Sequence, residues 1–257
     1  MKKESEKYID SNLFEGIVSI RAIAESILAG TTDRRFTRML FAKEKVKSKA
    51  KELGWLKYLS SSMHFPLDIV PNEELDALCI GSTHGGVAAY CTDRTTPLLS
   101  DIALTENGFY VMIEGIEDPY NFGNALRSLY AAGADGIILP PRNWMSAAGV
   151  VCRSSAGSSE RFSMAVSEAA LAADLFRSHG YKVVCADIAD SVSVYDADLK
   201  RPLFLIVGGE KRGISRAVLQ KADTVVRLDY GREFSGALSA SSAASIIGYE
   251  VFRQNRT

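Results

Sequence analysis

The sequence predicts an α/β fold, because apolar segments of strand length alternate along the chain with segments of helical spacing. Three strand-like segments support this prediction, at 109–116, Gly136–Leu139 and Leu203–Val207. Strands that alternate with helices in this way build a parallel sheet, so we expect the C-terminal half of the chain to contain one.

Composition narrows the class of protein. A chain of 257 residues is long enough for two modest domains or one large one. No apolar run reaches the roughly 20 residues that span a bilayer, and the charged N-terminus does not resemble a secretory signal. The four cysteines form no Cys-x-x-Cys pair, and the three histidines are scattered. We therefore expect a cytoplasmic protein with reduced thiols, no membrane segment and no metal site.

The segment 118–127 reads Asp-Pro-Tyr-Asn-Phe-Gly-Asn-Ala-Leu-Arg and lies between a predicted strand and a helix predicted at 125–132. Asp118 and Asn121 are suited to cap that helix. Asn121 and Arg127 would not share a helix face, so they converge only if Asn121 lies in the loop before the helix. Open α/β sheets bind ligands at such loops. The alternative is an ordinary strand–loop–helix with a surface Arg127.

Two later segments have a similar form. At 205–215 an apolar strand runs into a glycine-rich turn that contains Gly208 and Glu210, and a helix follows. At 225–244 a strand, a glycine-containing loop and a helix of small residues follow one another. Glycine in such loops allows a ligand or another backbone to approach closely.

In this order and near this spacing, the three segments resemble the motifs of the SpoU-type (TrmH-like) RNA 2′-O-methyltransferases of the knotted SPOUT class. The first matches the family's Asn-to-Arg signature, and the second its Gly-x-Glu-x-x-Gly signature. The third matches in outline, because the usual Ser-Leu-Asn-Val-Ser core reads Ala-Leu-Ser-Ala-Ser at 237–241. The resemblance covers about the last 150 residues, a typical domain length.

The resemblance implies S-adenosylmethionine as the methyl donor and RNA as the substrate, with no metal. It implies a homodimer formed by the last helix and the first-motif helix. It also implies a C-terminal α/β domain whose segment 230–245 is threaded through a trefoil knot. Knots are very rare in proteins, so this expectation depends on the resemblance alone.

The resemblance also assigns residues by position. Catalytic roles fall on Asn121, Arg127 and Glu210. Donor contacts fall on Gly208, Leu228, Leu238 and Ser239. Because a guanidinium has a pKa above about 12, we expect Arg127 to bind a phosphate and stabilise the attacking oxygen. Water or a phosphate oxygen would then take the proton. The alternative is that Arg127 itself acts as the general base.

The chain before these motifs predicts a separate domain. We expect an RNA substrate-binding domain at 1–92, a linker at 93–107 and the methyltransferase domain at 108–257. The front domain resembles the ribosomal-protein-like domain of many SpoU-type enzymes, most closely at 82–87. We expect His84 in that segment to hold its loop through hydrogen bonds, with RNA contact as the alternative.

A basic cluster in the front domain predicts contact with RNA phosphates. Its members are Arg34, Arg35, Arg38, Lys43, Lys45 and Lys47. The alternative is a solvated helix with salt bridges to Glu44 and Glu52.

The sequence thus predicts an RNA 2′-O-methyltransferase, and the separate front domain slightly favours ribosomal over transfer RNA. Ser239 stands where the family has Asn, Ala237 where it has Ser, and Asp229 adds a negative charge nearby. These departures favour an alternative function, an RNA-binding protein that keeps the fold but no longer methylates. A SPOUT enzyme that acts on a base, or on a substrate other than RNA, is the third hypothesis.

Overall fold

The structure is a computed structural model, and it describes residues 12–80, 83–116, 118–209 and 213–256. Contacts between residues divide the chain into two compact units. The front unit consists of Met1–Thr95 and Trp144–Arg161, and the sheet unit consists of Thr96–Asn143 and Phe162–Thr257. The front unit is therefore built from two separate stretches of the chain.

The helices are numbered in chain order through both units. They are α1 (Gly16–Leu28), α2 (Ala50–Met63), α3 (Asn72–Leu78), α4 (Pro119–Ala131), α5 (Ala148–Ser154), α6 (Ser158–Arg161), α7 (Ala169–Ser178), α8 (Arg216–Leu219) and α9 (Ala240–Asn255). Short 3-10 helices lie at Lys43–Lys45, Leu99–Asp101 and Trp144–Ala147. The front unit contains α1, α2, α3, α5 and α6 among the described helices.

A four-stranded mixed sheet forms the centre of the front unit. Its strands are β1 (Leu13–Glu15), β2 (Phe36–Ala42), β3 (Leu67–Val70) and β4 (Val87–Cys91), in the order β1-β4-β2-β3. The core between this sheet and its helices includes the fully buried Phe14, Ile23 and Leu56. Helix α5 belongs to it, because a Cβ atom on Gly149 would lie 2.0 Å from the carbonyl oxygen of Leu13.

A seven-stranded parallel sheet forms the sheet unit, which confirms the predicted α/β fold. Its strands are β5 (Phe109–Ile113), β6 (Gly136–Leu139), β7 (Ser163–Val166), β8 (Lys182–Ala186), β9 (Val192–Ser193), β10 (Leu203–Val207) and β11 (Thr224–Arg227). They are arranged in the order β7-β6-β5-β10-β8-β11-β9. Every residue of β5, β6 and β10 is buried, so these strands read as continuous apolar runs.

The first predicted strand is too long at its C-terminal end. It ends at Ile113 rather than at 116, and Gly115 then adopts a left-handed conformation with a φ of 71°. A positive φ takes the chain out of the extended region, which strands require. Glu114 consequently lies at the edge of the sheet and not within a strand.

Candidate active site

The carboxyl ends of β5, β10 and β8 meet at one edge of the parallel sheet. Ile113 pairs with Val207, and Val207 pairs with Ala186, so the three strands end in register. The chain after each strand therefore starts at the same level along this edge. Open parallel sheets bind ligands at this edge.

The loops after β5 and β10 touch through their backbones. The Glu114 N–H donates to the Val207 carbonyl oxygen at 2.9 Å, beyond the end of the strand pairing. A Cβ atom on Gly209 would lie 2.3 Å from the carbonyl oxygen of Gly115. Only glycine fits at position 209, because this contact is backbone against backbone.

Gly208 has a different constraint. A Cβ atom there would lie 2.7 Å from the carbonyl carbon of Gly213, so the second-motif loop folds back on itself. The Gly213 N–H closes the loop by donating to the Gly209 carbonyl oxygen at 3.0 Å. Glu210, which we predicted to be catalytic, lies outside the described residues.

Helix α4 begins directly after the first-motif loop. The Asp118 carboxylate accepts the N–H of Tyr120 at 2.9 Å, and Pro119 occupies the first helical position. The predicted helix start at 125 is therefore wrong. A capping Asp followed by Pro, whose fixed φ suits the first turn, starts the helix six residues earlier.

This helix start changes the expected geometry of Asn121 and Arg127. Asn121 is half-buried in the first turn of α4 and not in the preceding loop, while Arg127 is exposed further along. Within one helix the two positions are about 120° apart around the axis. The helix alone therefore does not bring the two side chains together.

The third-motif segment is closed by its own side chains. Ser239 caps α9, because its hydroxyl accepts the Ser242 N–H at 3.2 Å. The Leu238 N–H donates to the Tyr230 hydroxyl at 3.3 Å. The Tyr230 and Phe234 rings pack edge to face, with 5.6 Å between their centroids. Leu228 and Leu238 are both half-buried.

The negative charge of Asp229 is paired with a nearby cation. Its carboxylate pairs with Arg227, with 3.0 Å between Oδ1 and Nε. A hydrogen bond from Ser193, with the nearby Arg227 charge, lowers the pKa of Asp229. The negative charge that we expected near the donor is thus partly balanced by its own strand.

Helix α9 packs directly on α4 within the sheet unit. A Cβ atom on Gly248 would lie 3.0 Å from Cδ2 of Leu129, so glycine lets the two helices approach closely. The helix that follows the third motif is thereby fixed against the helix that carries Asn121 and Arg127.

Glu114 is a candidate site residue that none of the three sequence motifs includes. Its Oε2 atom is buried and accepts no hydrogen bond from any described residue. Burial raises the pKa of the Glu114 carboxyl above its ordinary value, and the charge of Glu168 raises it further. A carboxylate placed immediately after five buried apolar residues was the available signal.

In the front unit, Arg34 is buried and serves the core. Its Nε atom lies 2.8 Å from Oε2 of Glu160, and neither side chain is more than 2% exposed. Arg34 also donates to the Thr92 carbonyl oxygen at 2.7 Å and lies 4.8 Å from the Phe14 ring centroid. We therefore leave Arg34 out of any RNA-binding surface.

The other members of the predicted basic cluster are exposed but do not form one patch. Arg35 precedes β2 and Lys43 follows it, so the strand separates them by about 25 Å. Arg38 pairs with Asp68 at 2.8 Å. Lys43, Lys45 and Lys47 lie together on and just after the first 3-10 helix.

His84 has the contacts of a residue that holds its loop. Its Nδ1 atom accepts the Gly86 N–H at 3.1 Å, and its Nε2 atom lies 2.8 Å from Oδ1 of Asp76. Because Nδ1 accepts, the ring proton lies on Nε2 and is donated to Asp76. The ring is 2% exposed.

Within the described ranges, no group of three or more His, Cys, Asp or Glu side chains is placed to hold a metal ion. No helix among them is both long and apolar enough to cross a membrane.

The fold and the similarity to known proteins identify a methyltransferase of the SPOUT class. The sequence profile of the SpoU rRNA methylase family matches residues 108–249. A protein of Staphylococcus saprophyticus assigned to the TrmH family of tRNA/rRNA methyltransferases is 30% identical over 244 residues, covering 93% of this chain and 95% of the relative. The chain therefore belongs to the SpoU family and is an RNA methyltransferase.

Solved structures share this fold. A crystal structure of an RNA 2′-O ribose methyltransferase matches with a TM-score of 0.76 and 22% identity over 94% of this chain and 88% of that one. An AdoMet-bound rRNA methyltransferase from Sinorhizobium meliloti matches with a TM-score of 0.73 and 20% identity over 100% of this chain and 92% of that one.

Proposed function

We propose that this chain transfers a methyl group from S-adenosylmethionine to a ribose 2′-hydroxyl of structured RNA, with ribosomal RNA as the favoured substrate. The observation that carries the proposal is the edge where the Gly115 and Gly209 loops touch, next to the helix of Asn121 and Arg127. The structural relatives described as an RNA 2′-O ribose methyltransferase and as an rRNA methyltransferase support the finer assignment.

The residues at this edge fit the donor. S-adenosylmethionine supplies a methyl group on a positively charged sulfur. The buried Oε2 atom of Glu114, which has no hydrogen-bond partner among the described residues, suits a cation nearby. The glycine-lined loop at 208–209 offers backbone groups without side chains. Gly208, Leu228, Leu238 and Ser239 would hold the donor. For Leu238 to use its N–H, the Tyr230 hydroxyl must release it.

The exposed cation of Arg127 acts on the substrate side. It binds an RNA phosphate, orients the ribose and stabilises negative charge that develops on the attacking oxygen. Asn121 offers an amide that can donate and accept near the N-terminal end of the same helix. Water or a phosphate oxygen takes the proton, and Glu210 shapes the donor loop.

The two parts of the chain have different roles in this proposal. Residues 1–92 bind RNA, with Lys43, Lys45 and Lys47 contacting phosphates. Arg38 lies within β2, and Arg35 lies just before that strand. Residues 108–257 carry the methyl transfer, with the segment 230–245 threaded through a trefoil knot. An enzyme for ribosomal RNA would work in the cytoplasm.

We further propose a homodimer through the exposed face of α9. Its apolar residues Ile246, Tyr249 and Phe252 are 38%, 50% and 44% exposed, which is unusual for a stripe on a single helix. Tyr195, Ile246 and Tyr249 also line an open cavity of about 460 Å³ beside this face. Light scattering should give twice the 27.9 kDa chain mass at micromolar concentration, and a stable monomer would contradict the dimer.

The function is tested by mapping 2′-O-methylation of total RNA from cells with and without the gene. Loss of one or more ribosomal RNA sites supports the proposal, and loss confined to transfer RNA corrects the substrate. Calorimetry with S-adenosylmethionine tests the second candidate, an RNA-binding protein without catalysis. The departures at Ala237 and Ser239 favour that candidate, and it should bind RNA but not the donor.

A further inference from the structure

A second exposed surface of the front unit combines aromatic rings with cations. Lys51, Trp55 and Tyr58 on α2 are spaced four and three residues apart, so they form one stripe along the helix. Tyr58 is 69% exposed. Trp55 is half-buried, and the Arg21 guanidinium of α1 lies 5.1 Å from its ring centroid. We call Arg21, Lys51, Trp55 and Tyr58 the α2 platform.

The charge of this surface is positive. The carboxylates within α1 and α2 are Glu25 and Glu52, and both are engaged elsewhere. Glu25 lies 2.6 Å from Arg161, and Glu52 lies 3.2 Å from Lys49. In the part of the chain that the structure describes, no carboxylate forms an ion pair with Arg21 or Lys51.

The surroundings of Tyr58 favour RNA over protein as the partner. Its exposed neighbours on α2 are Lys57, Ser61 and Ser62, which surround the ring with polar groups. Protein interfaces bury contiguous apolar area and are depleted in Lys. Proteins that bind single-stranded nucleic acid instead stack bases on aromatic rings and hold the backbone with nearby cations.

We propose that the α2 platform binds an unpaired segment of the RNA substrate, with a base stacked on Tyr58 and the backbone held by Lys51 and Arg21. This inference rests on the proposed function and adds the kind of RNA structure that the front unit recognises. From Lys51 to Tyr58 the helix rises about 10 Å. That length matches about three bases at a spacing of roughly 3.4 Å.

The test compares RNA binding by the full chain and its variants. The probe is a fluorescein-labelled single-stranded RNA of about 12 nucleotides, and the same strand annealed to its complement is the second probe. Tyr58→Ala should weaken binding of the single strand roughly 5- to 100-fold, because stacking of one base is lost. Tyr58→Phe keeps the ring and should bind within about twofold of the original. Neither variant should change duplex binding.

Salt dependence separates stacking from charge. Lys51→Ala should reduce the slope of log affinity against log salt by about 1, since one phosphate contact is lost. The loss caused by Tyr58→Ala should persist at high salt. Circular dichroism spectra confirm that the variants are folded.

Three outcomes would overturn the inference. One is unchanged single-strand binding by Tyr58→Ala, and another is an equal loss for both probes, which would indicate a contact unrelated to base stacking. A third is a fall in molecular mass on Tyr58→Ala, which would assign the surface to contact between copies of the chain. Donor calorimetry on the same samples distinguishes the two levels. If the protein binds S-adenosylmethionine and methylates RNA, but Tyr58→Ala does not weaken single-strand binding, only the role of the α2 platform is refuted.

Discussion

Gly209 lies so close to Gly115 that a Cβ atom at position 209 would be 2.3 Å from the Gly115 carbonyl oxygen. The loops after β5 and β10 are therefore joined at a point where no side chain fits. Because one loop precedes α4 and the other carries the second motif, this contact fixes the two motifs relative to each other.

Gly209→Ala should force these loops apart. We expect a loss of about 1–3 kcal/mol in the free energy of unfolding, typical of overpacking, and much weaker S-adenosylmethionine binding. Urea unfolding and donor calorimetry measure the two effects. Gly231→Ala is the control, since an added Cβ there has no neighbour within 4 Å. Equal behaviour of the two variants would contradict the role of this contact.

Arg127→Ala should separate catalysis from donor binding. Loss of the cation that stabilises the attacking oxygen should slow single-turnover methylation by about 10²- to 10³-fold. Donor affinity should change little, because Arg127 lies on the exposed side of α4 and the donor is expected at the loops. Arg127→Lys keeps the positive charge but lacks the planar guanidinium group, so its methylation rate should lie between those of the wild type and Arg127→Ala. A wild-type methylation rate for Arg127→Ala would refute the assignment of the catalytic centre.

Glu114→Gln should stabilise the protein in a pH-dependent way. The folded pKa is raised, so the folded state binds more protons, and stability falls as pH rises from the ordinary Glu range through the raised value. The substitution should therefore increase the free energy of unfolding near pH 8 more than near pH 4.

Glu250→Gln provides the control of opposite sign for this prediction. A hydrogen bond from Arg253 lowers the pKa of Glu250, so its contribution to stability is present above the ordinary range and lost as pH falls through the lowered value. That variant should lose stability near neutral pH. Urea unfolding at several pH values measures both, and the same sign for both variants would contradict the electrostatic account.

Arg34→Ala should strongly destabilise the front unit. It leaves the Glu160 carboxylate buried without its cation, which typically costs about 3–5 kcal/mol. Arg38→Ala is the matched control, since the Arg38–Asp68 pair is 46% and 44% exposed and should contribute less than about 1 kcal/mol. Similar losses for both variants, measured by urea unfolding, would argue against the core role of Arg34.

Ser239→Asn should restore the usual family residue without harming α9. Asn and Ser are about equally effective as N-cap residues, so the hydrogen bond that Ser239 accepts from the Ser242 N–H should be replaced by an equivalent one. We expect methylation to be kept or increased while the thermal midpoint is unchanged. A variant that stays folded but loses methylation would show that this protein requires Ser, and not Asn, at position 239.

The parallel sheet was predictable because its central strands are buried on both faces and read as apolar runs. The burial of Arg34 was not, since its partner Glu160 lies 126 residues away and no local pattern connects them. The start of α4 was misjudged for a local reason. Asp118 was recognised as a cap residue, but the helix was placed from 125 onwards, although a capping Asp followed directly by Pro119 signals a helix start at that point.

The two-part composition of the front unit has a consequence for synthesis in the cell. Residues up to Thr95 leave the ribosome first, but α5 and α6, with Glu160, follow only at 144–161. At ordinary elongation rates this delay is roughly 3 to 13 s. During this delay Arg34 lacks its partner Glu160, and the backbone of Leu13 is not yet covered by α5. We therefore expect chaperones to bind the nascent chain at this stage.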